Sequence, residues 1–211
     1  FGMKLLTSSI ALYIVKFSND SHRWWDSQGP FAPLHKLNPH RLSYIKDRIC
    51  KNFQRDQAQS RPLSGINILD TGCGGGLVSL PLARLGANVT ALDADRQAIE
   101  LLKEKANARN IDIATNCGVI EDLSVEDHKF DVVLALEIIE HVDSPEDFVT
   151  QLSHCCKPGG IIILSTLNRT AKSYILGILG AEYVMNLVPK GTHSWKKFVK
   201  PSECTRWIRH N

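Results

Sequence analysis

The chain lacks the features that mark several large classes of protein. Its 211 residues hold only six cysteines, at 50, 73, 117, 155, 156 and 204. None falls in CxxC spacing, so the sequence gives no zinc signature and no dense disulfide scaffold, and the scatter suits a reducing compartment. An excess of one charge is missing too: 25 Lys and Arg against 22 Asp and Glu leave +3. No dense basic run occurs before Trp195-Lys196-Lys197, so nothing argues for a nucleic-acid partner. Long apolar runs are absent. Ile10-Ala11-Leu12-Tyr13-Ile14-Val15 is far too short to span a bilayer, which disfavours an integral membrane protein. There is no internal repeat and no low-complexity linker. A 43% hydrophobic and 22% charged composition is ordinary for a globular chain, and the length suggests one domain with a substantial core.

Acid is missing from the start. Between Met3 and Phe17 stand Lys4, Lys16 and several hydroxyl residues, and the first carboxylate is Asp20. The sequence opens on Phe1, which is not expected of a translation start. Two readings stay open, the tail of an organellar transit peptide and a frayed terminus. Residues 1–22 are therefore set apart as an extension from a domain over 23–211.

What is present is an alternation of strands and helices. Ile66 to Leu69 is a short apolar run ending in Asp70, and Leu77 to Leu85 reads as a helix closed by Gly86. Ala87 to Leu92 reads as a strand ending in Asp93. Asp95 is placed to cap a helix whose apolar residues Ala98, Ile99, Leu102 and Ala106 recur at helical spacing. Ile111 to Ala114 is expected as a third strand and Phe130 to Leu136 as a fourth. Ser144-Pro145-Glu146-Asp147 opens a helix that stops before Lys157-Pro158-Gly159-Gly160, and Ile161 to Leu164 gives a fifth strand. Continuous apolar strands between helices predict an α/β fold, a doubly wound and mostly parallel sheet.

Two constellations carry chemistry. The first is Asp70-Thr71-Gly72-Cys73-Gly74-Gly75-Gly76 between a strand and a helix, where Gly72 and Gly74 would let backbone approach a ligand closely. Alone, such a turn is a weak signal. Asp93, about 20 residues further on at the end of the next strand, can accept both hydroxyls of a ribose. A dinucleotide fingerprint would need a small residue at Leu77, so a nucleoside without phosphates, such as S-adenosylmethionine, suits the loop better than NAD does. Asp70 could face a cationic amino group. Singly, each acid reads as a cap or turn residue; both at strand ends around one loop are harder to dismiss.

The second is Glu137-Ile138-Ile139-Glu140-His141, directly after the fourth strand. If this is a helical turn, Glu137, Glu140 and His141 converge on one face and make a facial set for a divalent cation. A solvated loop, or a metal-free site with His141 as general base, is equally open. Asp143 reads as a turn residue.

Together with Ser165-Thr166-Leu167-Asn168-Arg169-Thr170 and Pro189-Lys190-Gly191-Thr192-His193, these motifs resemble the ubiquinone-biosynthesis O-methyltransferases, from about Trp24 to Arg206. These act on polyprenyl-dihydroxybenzoate and demethylubiquinol. The resemblance implies a Rossmann-like class I methyltransferase fold with S-adenosylmethionine across the glycine loop. It places donor contacts on Arg41, Gly72, Asp93 and Leu136, with Arg41 on the donor's carboxylate, and Mg2+ on Glu137, Glu140 and His141. Glu121 or Asp122 would lie near the adenine. It further implies a mitochondrial matrix protein, peripheral on the inner membrane, within a multi-subunit ubiquinone-biosynthesis complex. Residues 171–188, with only Lys172 and Glu182 charged, then read as an apolar surface that collects a polyprenyl aromatic substrate from a bilayer. Without the resemblance, a buried helix or subunit interface would be favoured, and Trp195 and Trp207 fit either setting. The family pattern continues past Lys200-Pro201-Ser202-Glu203 with closing strands that this sequence is expected to lack. Alternatives are a class I methyltransferase for another small molecule and a donor-binding scaffold without turnover.

Overall fold

The computed structural model describes residues 18, 20–123, 129–166 and 199–209. The motifs at 167–170 and 189–193, the apolar stretch 171–188 and Trp195 lie outside the described residues. Among those described, five strands form one parallel sheet in the order β3-β2-β1-β4-β5. They are β1 Asn67–Thr71, β2 Asn88–Asp93, β3 Ala114–Cys117, β4 Phe130–Leu136 and β5 Cys156–Ser165. The helices are α1 Ala32–Asn52, α2 Ser79–Arg84, α3 Arg96–Asn107, α4 Pro145–Cys155 and α5 Pro201–Arg209.

Burial on both faces explains the continuous apolar strands. In β1 and β4, Ile68, Val132 and Leu134 join Ile45, Ile49 and Leu82 on the side of α1 and α2. Their neighbours Leu69, Val133 and Ala135 join Phe148, Val149, Leu152 and Trp207 on the side of α4 and α5. Period-two alternation thus feeds two cores from one strand. Trp207 is core, being 9% exposed. The third helix closes a satellite cluster through Ile99, Leu102 and Ala106, the spacing read from sequence.

The local signals act as expected at two helix starts. Asp95 accepts from the Gln97 amide at 3.0 Å, and Ser144 Oγ accepts from Asp147 at 3.3 Å with Pro145 behind it. Other boundaries shift. The third strand starts at Ala114 rather than Ile111. Ile111 and Ile113 pack below the sheet against the cores, so the ladder runs instead over the polar Ala114-Thr115-Asn116-Cys117 edge. The helix expected over 77–85 is only Ser79–Arg84, because the glycine turn extends through Leu77 and Val78. Lys157-Pro158-Gly159-Gly160 is not a loop before β5 but part of it. The register slips between Phe130 and Val132, which accommodates the extra residues.

Helix α1 had no clear signal. Pro33 stands in its first turn and Pro39 inside it, and its buried residues Ile45, Ile49 and Cys50 are confined to the second half. It positions the site nonetheless. Asn38 Nδ2 donates to the Leu77 carbonyl at 2.8 Å, fastening the helix to the exit of the glycine turn.

Candidate active site

The carboxyl ends of β1, β2 and β4 gather the predicted residues, where open α/β sheets bind ligands. A broad hollow of about 1120 Å3 opens instead at the amino ends, between Arg61, Arg84 and Lys129, and holds none of them.

The turn after β1 needs glycine for two reasons. Gly72 and Gly74 have φ of +73° and +52°, and a Cβ would stand 2.9 Å from Ile138 Cγ1 and 2.4 Å from Trp24 Cζ2 respectively. Trp24 itself stacks on Phe31 at 3.9 Å, and Trp25 Nε1 donates to the Gly75 carbonyl at 2.9 Å. The segment from Ser21, whose hydroxyl reaches Asp95, to Phe31 therefore straps the loop from outside. Nothing in the sequence pattern pointed to this strap, because its contacts join residues about fifty positions apart.

Asp93 ends β2 at 3% exposure. It accepts the Gly74 amide on Oδ2 at 2.7 Å and the Asp95 amide on Oδ1 at 2.8 Å, so it shapes the loop as well as facing the cleft. Burial pushes its carboxyl up to about 6, against the pull of those amides. Asp70, 2% exposed, accepts the Ser79 hydroxyl. Burial lifts it to about 6 as well, opposed by Ser79 and by the charge of Arg41.

A cleft beside Asp93 is lined by Gly72, Glu121, Ile138, His141 and Phe148. This separates the two acids left open by sequence. Glu121 borders the cleft, whereas Asp122 turns back to accept the Val119 amide at 3.2 Å. Arg41, Asp70 and Leu136 do not line it. Leu136 is buried in the core at the end of β4, with 8% exposure.

Glu137, Glu140 and His141 do not converge as a helical turn would place them. The turn is 3-10 and covers only Ile139–His141, while Glu137 precedes it at φ +56°. Glu137 accepts from Ser165 Oγ at 2.8 Å and lies 3.6 Å from Arg41 Nη2. Glu140, 5% exposed, accepts from Thr166 Oγ1 at 2.9 Å. Burial first, and then the charge of Glu137, pushes Glu140 up to about 7. Two crowded carboxylates suit a divalent cation. His141 borders the Asp93 cleft instead, and among the described residues no three acidic, His or Cys side chains are gathered to hold a metal ion.

Comparison with known proteins agrees with this architecture. A methyltransferase domain family matches residues 69–164, from β1 to β5. The ubiquinone biosynthesis O-methyltransferase of Brucella ovis is 47% identical over 197 residues, covering 93% of this chain and 79% of that protein. The enzyme of the same name from Roseobacter denitrificans is 46% identical over 198 residues, covering 94% and 80%. Among solved structures, the fold matches magnesium protoporphyrin IX methyltransferase from Synechocystis with bound SAH. That match has a TM-score of 0.71 at 18% identity, over 95% of this chain and 87% of that one. With nearly half its residues shared across almost its whole length, the chain belongs to the ubiquinone biosynthesis O-methyltransferase family of S-adenosylmethionine-dependent enzymes.

Proposed function

We propose that the chain transfers the methyl group of S-adenosylmethionine to a catechol hydroxyl of polyprenyl-dihydroxybenzoate and of demethylubiquinol. The observation that carries this is the 47% identity over 93% of the chain to an enzyme named for O-methylation in ubiquinone biosynthesis. The same reading assigns the roles, and the geometry supports some of them. Asp93 holds the ribose hydroxyls with the lone pairs its two amide partners leave over. Gly72 lets the donor lie against the backbone where it lines the cleft, Gly74 ties the loop to Asp93 through its amide, and Glu121 borders the adenine end of the cleft. Arg41 takes the donor's carboxylate, for which a guanidinium fork is suited.

The phenol oxygen attacks the sulfonium methyl in line, its proton passes to His141 beside the cleft, and S-adenosylhomocysteine leaves. Glu137 and Glu140 are the residues that would hold Mg2+, with His141 as the third ligand implied by the resemblance. A cation there would supply charge that acidifies the phenol. Burial, and behind it the charge of Glu137, pushes Glu140 up to about 7, and that second, repulsive part favours such an ion, while the separate setting of His141 argues for its role as base.

The same reading places the protein in the mitochondrial matrix, peripheral on the inner membrane and within a multi-subunit complex. The acid-free segment from Met3 to Phe17 supports the first, and the sparsely charged 171–188 stretch supports membrane contact. Among the described residues no helix is long and apolar enough to cross a membrane. The test is methyl transfer from labelled S-adenosylmethionine to a short-chain prenyl dihydroxybenzoate, with magnesium or chelator. Methylation lost on chelation supports both substrate and cation. Methylation indifferent to chelator removes the cation and leaves His141 as base. Donor binding without turnover overturns the reading in favour of a scaffold.

A further inference from the structure

Arg41 has its guanidinium beside Glu137 and close enough to Asp70 for its charge to act on that acid. Its helix is fixed by the Asn38 to Leu77 hydrogen bond three residues earlier, and its side chain is only 12% exposed. Nη2 lies 3.6 Å from Glu137 Oε1, too far for a hydrogen bond. That nitrogen is buried and finds no hydrogen-bond acceptor among the described residues. Glu137 Oε1 is already engaged by Ser165 Oγ at 2.8 Å, and the Glu137 amide donates to the Ser165 carbonyl at 2.8 Å. The carboxylate therefore attracts that nitrogen without satisfying it, while Glu137 itself is held by Ser165.

We infer that Arg41 is a coupling residue: Glu137 and the donor's carboxylate compete for its guanidinium. This rests on the donor role proposed for Arg41 above. A buried guanidinium nitrogen lacking an acceptor gains more from a carboxylate that can approach in register than from one held back at 3.6 Å. Once the donor is bound, the Glu137 carboxylate loses its cationic neighbour and is available to the acceptor side. Coupling of this kind is reciprocal, so anything that neutralises Glu137 strengthens donor binding.

The test uses the full chain and S-adenosylhomocysteine, titrated by calorimetry. Glu137→Gln keeps an oxygen for Ser165 Oγ and removes only the charge that holds Arg41. It is expected to bind S-adenosylhomocysteine roughly two- to fivefold more tightly, the range of a partly exposed ion pair. In an Arg41→Ala background the same substitution is expected to change affinity by less than about 1.5-fold. A merely structural role for Glu137 would instead weaken binding and lower the melting temperature. Unchanged or weaker binding by E137Q at an unchanged melting temperature overturns the coupling. An Arg41→Ala variant that binds as tightly as the wild type overturns the donor role beneath it, which is a separate result.

Discussion

The Gly74 amide donates to Asp93 Oδ2 at 2.7 Å, so the acid at the end of β2 and the turn after β1 are one unit. An acid expected to receive ribose hydroxyls, or singly to serve as a cap or turn residue, sets the shape of the loop after β1. Asp93→Asn should therefore remove more than a charge. The amide nitrogen it introduces must face a backbone N–H of Gly74 or Asp95, since both oxygens are occupied. With a charged acceptor lost, S-adenosylhomocysteine affinity should fall about ten- to hundredfold by calorimetry. A loss under threefold would show that Asp93 serves the loop alone.

How much of this was legible depended on whether the signal was local. Phe130–Leu136 was read to the residue because a buried parallel strand is apolar along its whole length. Asp95 and Ser144 were read as caps because a cap is settled within three residues. The edge strand β3 was misplaced, since its own residues are polar and the nearby isoleucines serve the core below. The positions of Asp70, Gly72 and Asp93 at strand ends were legible. The strap of Trp24 over Gly74, the Asn38 tether and the left-handed backbone of Glu137 were not, because each depends on distant partners.

That strap can be measured. Gly74→Ala forces an alanine into φ +52° and sets its Cβ against the Trp24 indole. The backbone part should cost about 1–2 kcal/mol, and the clash a further 1–3 kcal/mol. Trp24→Ala relieves only the second. In urea unfolding, the cost of Gly74→Ala should drop to about 1–2 kcal/mol when measured in the Trp24→Ala background. Equal costs in both backgrounds would mean that Trp24 moves aside freely and does not strap the loop.

Asp70 gives a prediction with a defined pH dependence. Its carboxyl is raised from 3.8 to about 6 by burial. A raised acid binds its proton more tightly when folded, so between pH 4 and pH 6 the native state holds more protons than the unfolded chain. Stability from this group is therefore greatest at low pH and is lost as pH rises toward 6. Asp70→Asn removes the ionisation and keeps an oxygen to accept the Ser79 hydroxyl. The stability of the variant relative to wild type should consequently increase by about 2 kcal/mol between pH 4 and pH 7, with most of the change complete near pH 6. Urea unfolding of both proteins across that range checks it. A difference independent of pH would mean that Asp70 ionises freely, with Arg41 and Ser79 offsetting the cost of its burial. If stability follows the expected curve while donor binding weakens in the variant, then the strand-end acid is kept for the ligand at the expense of the fold.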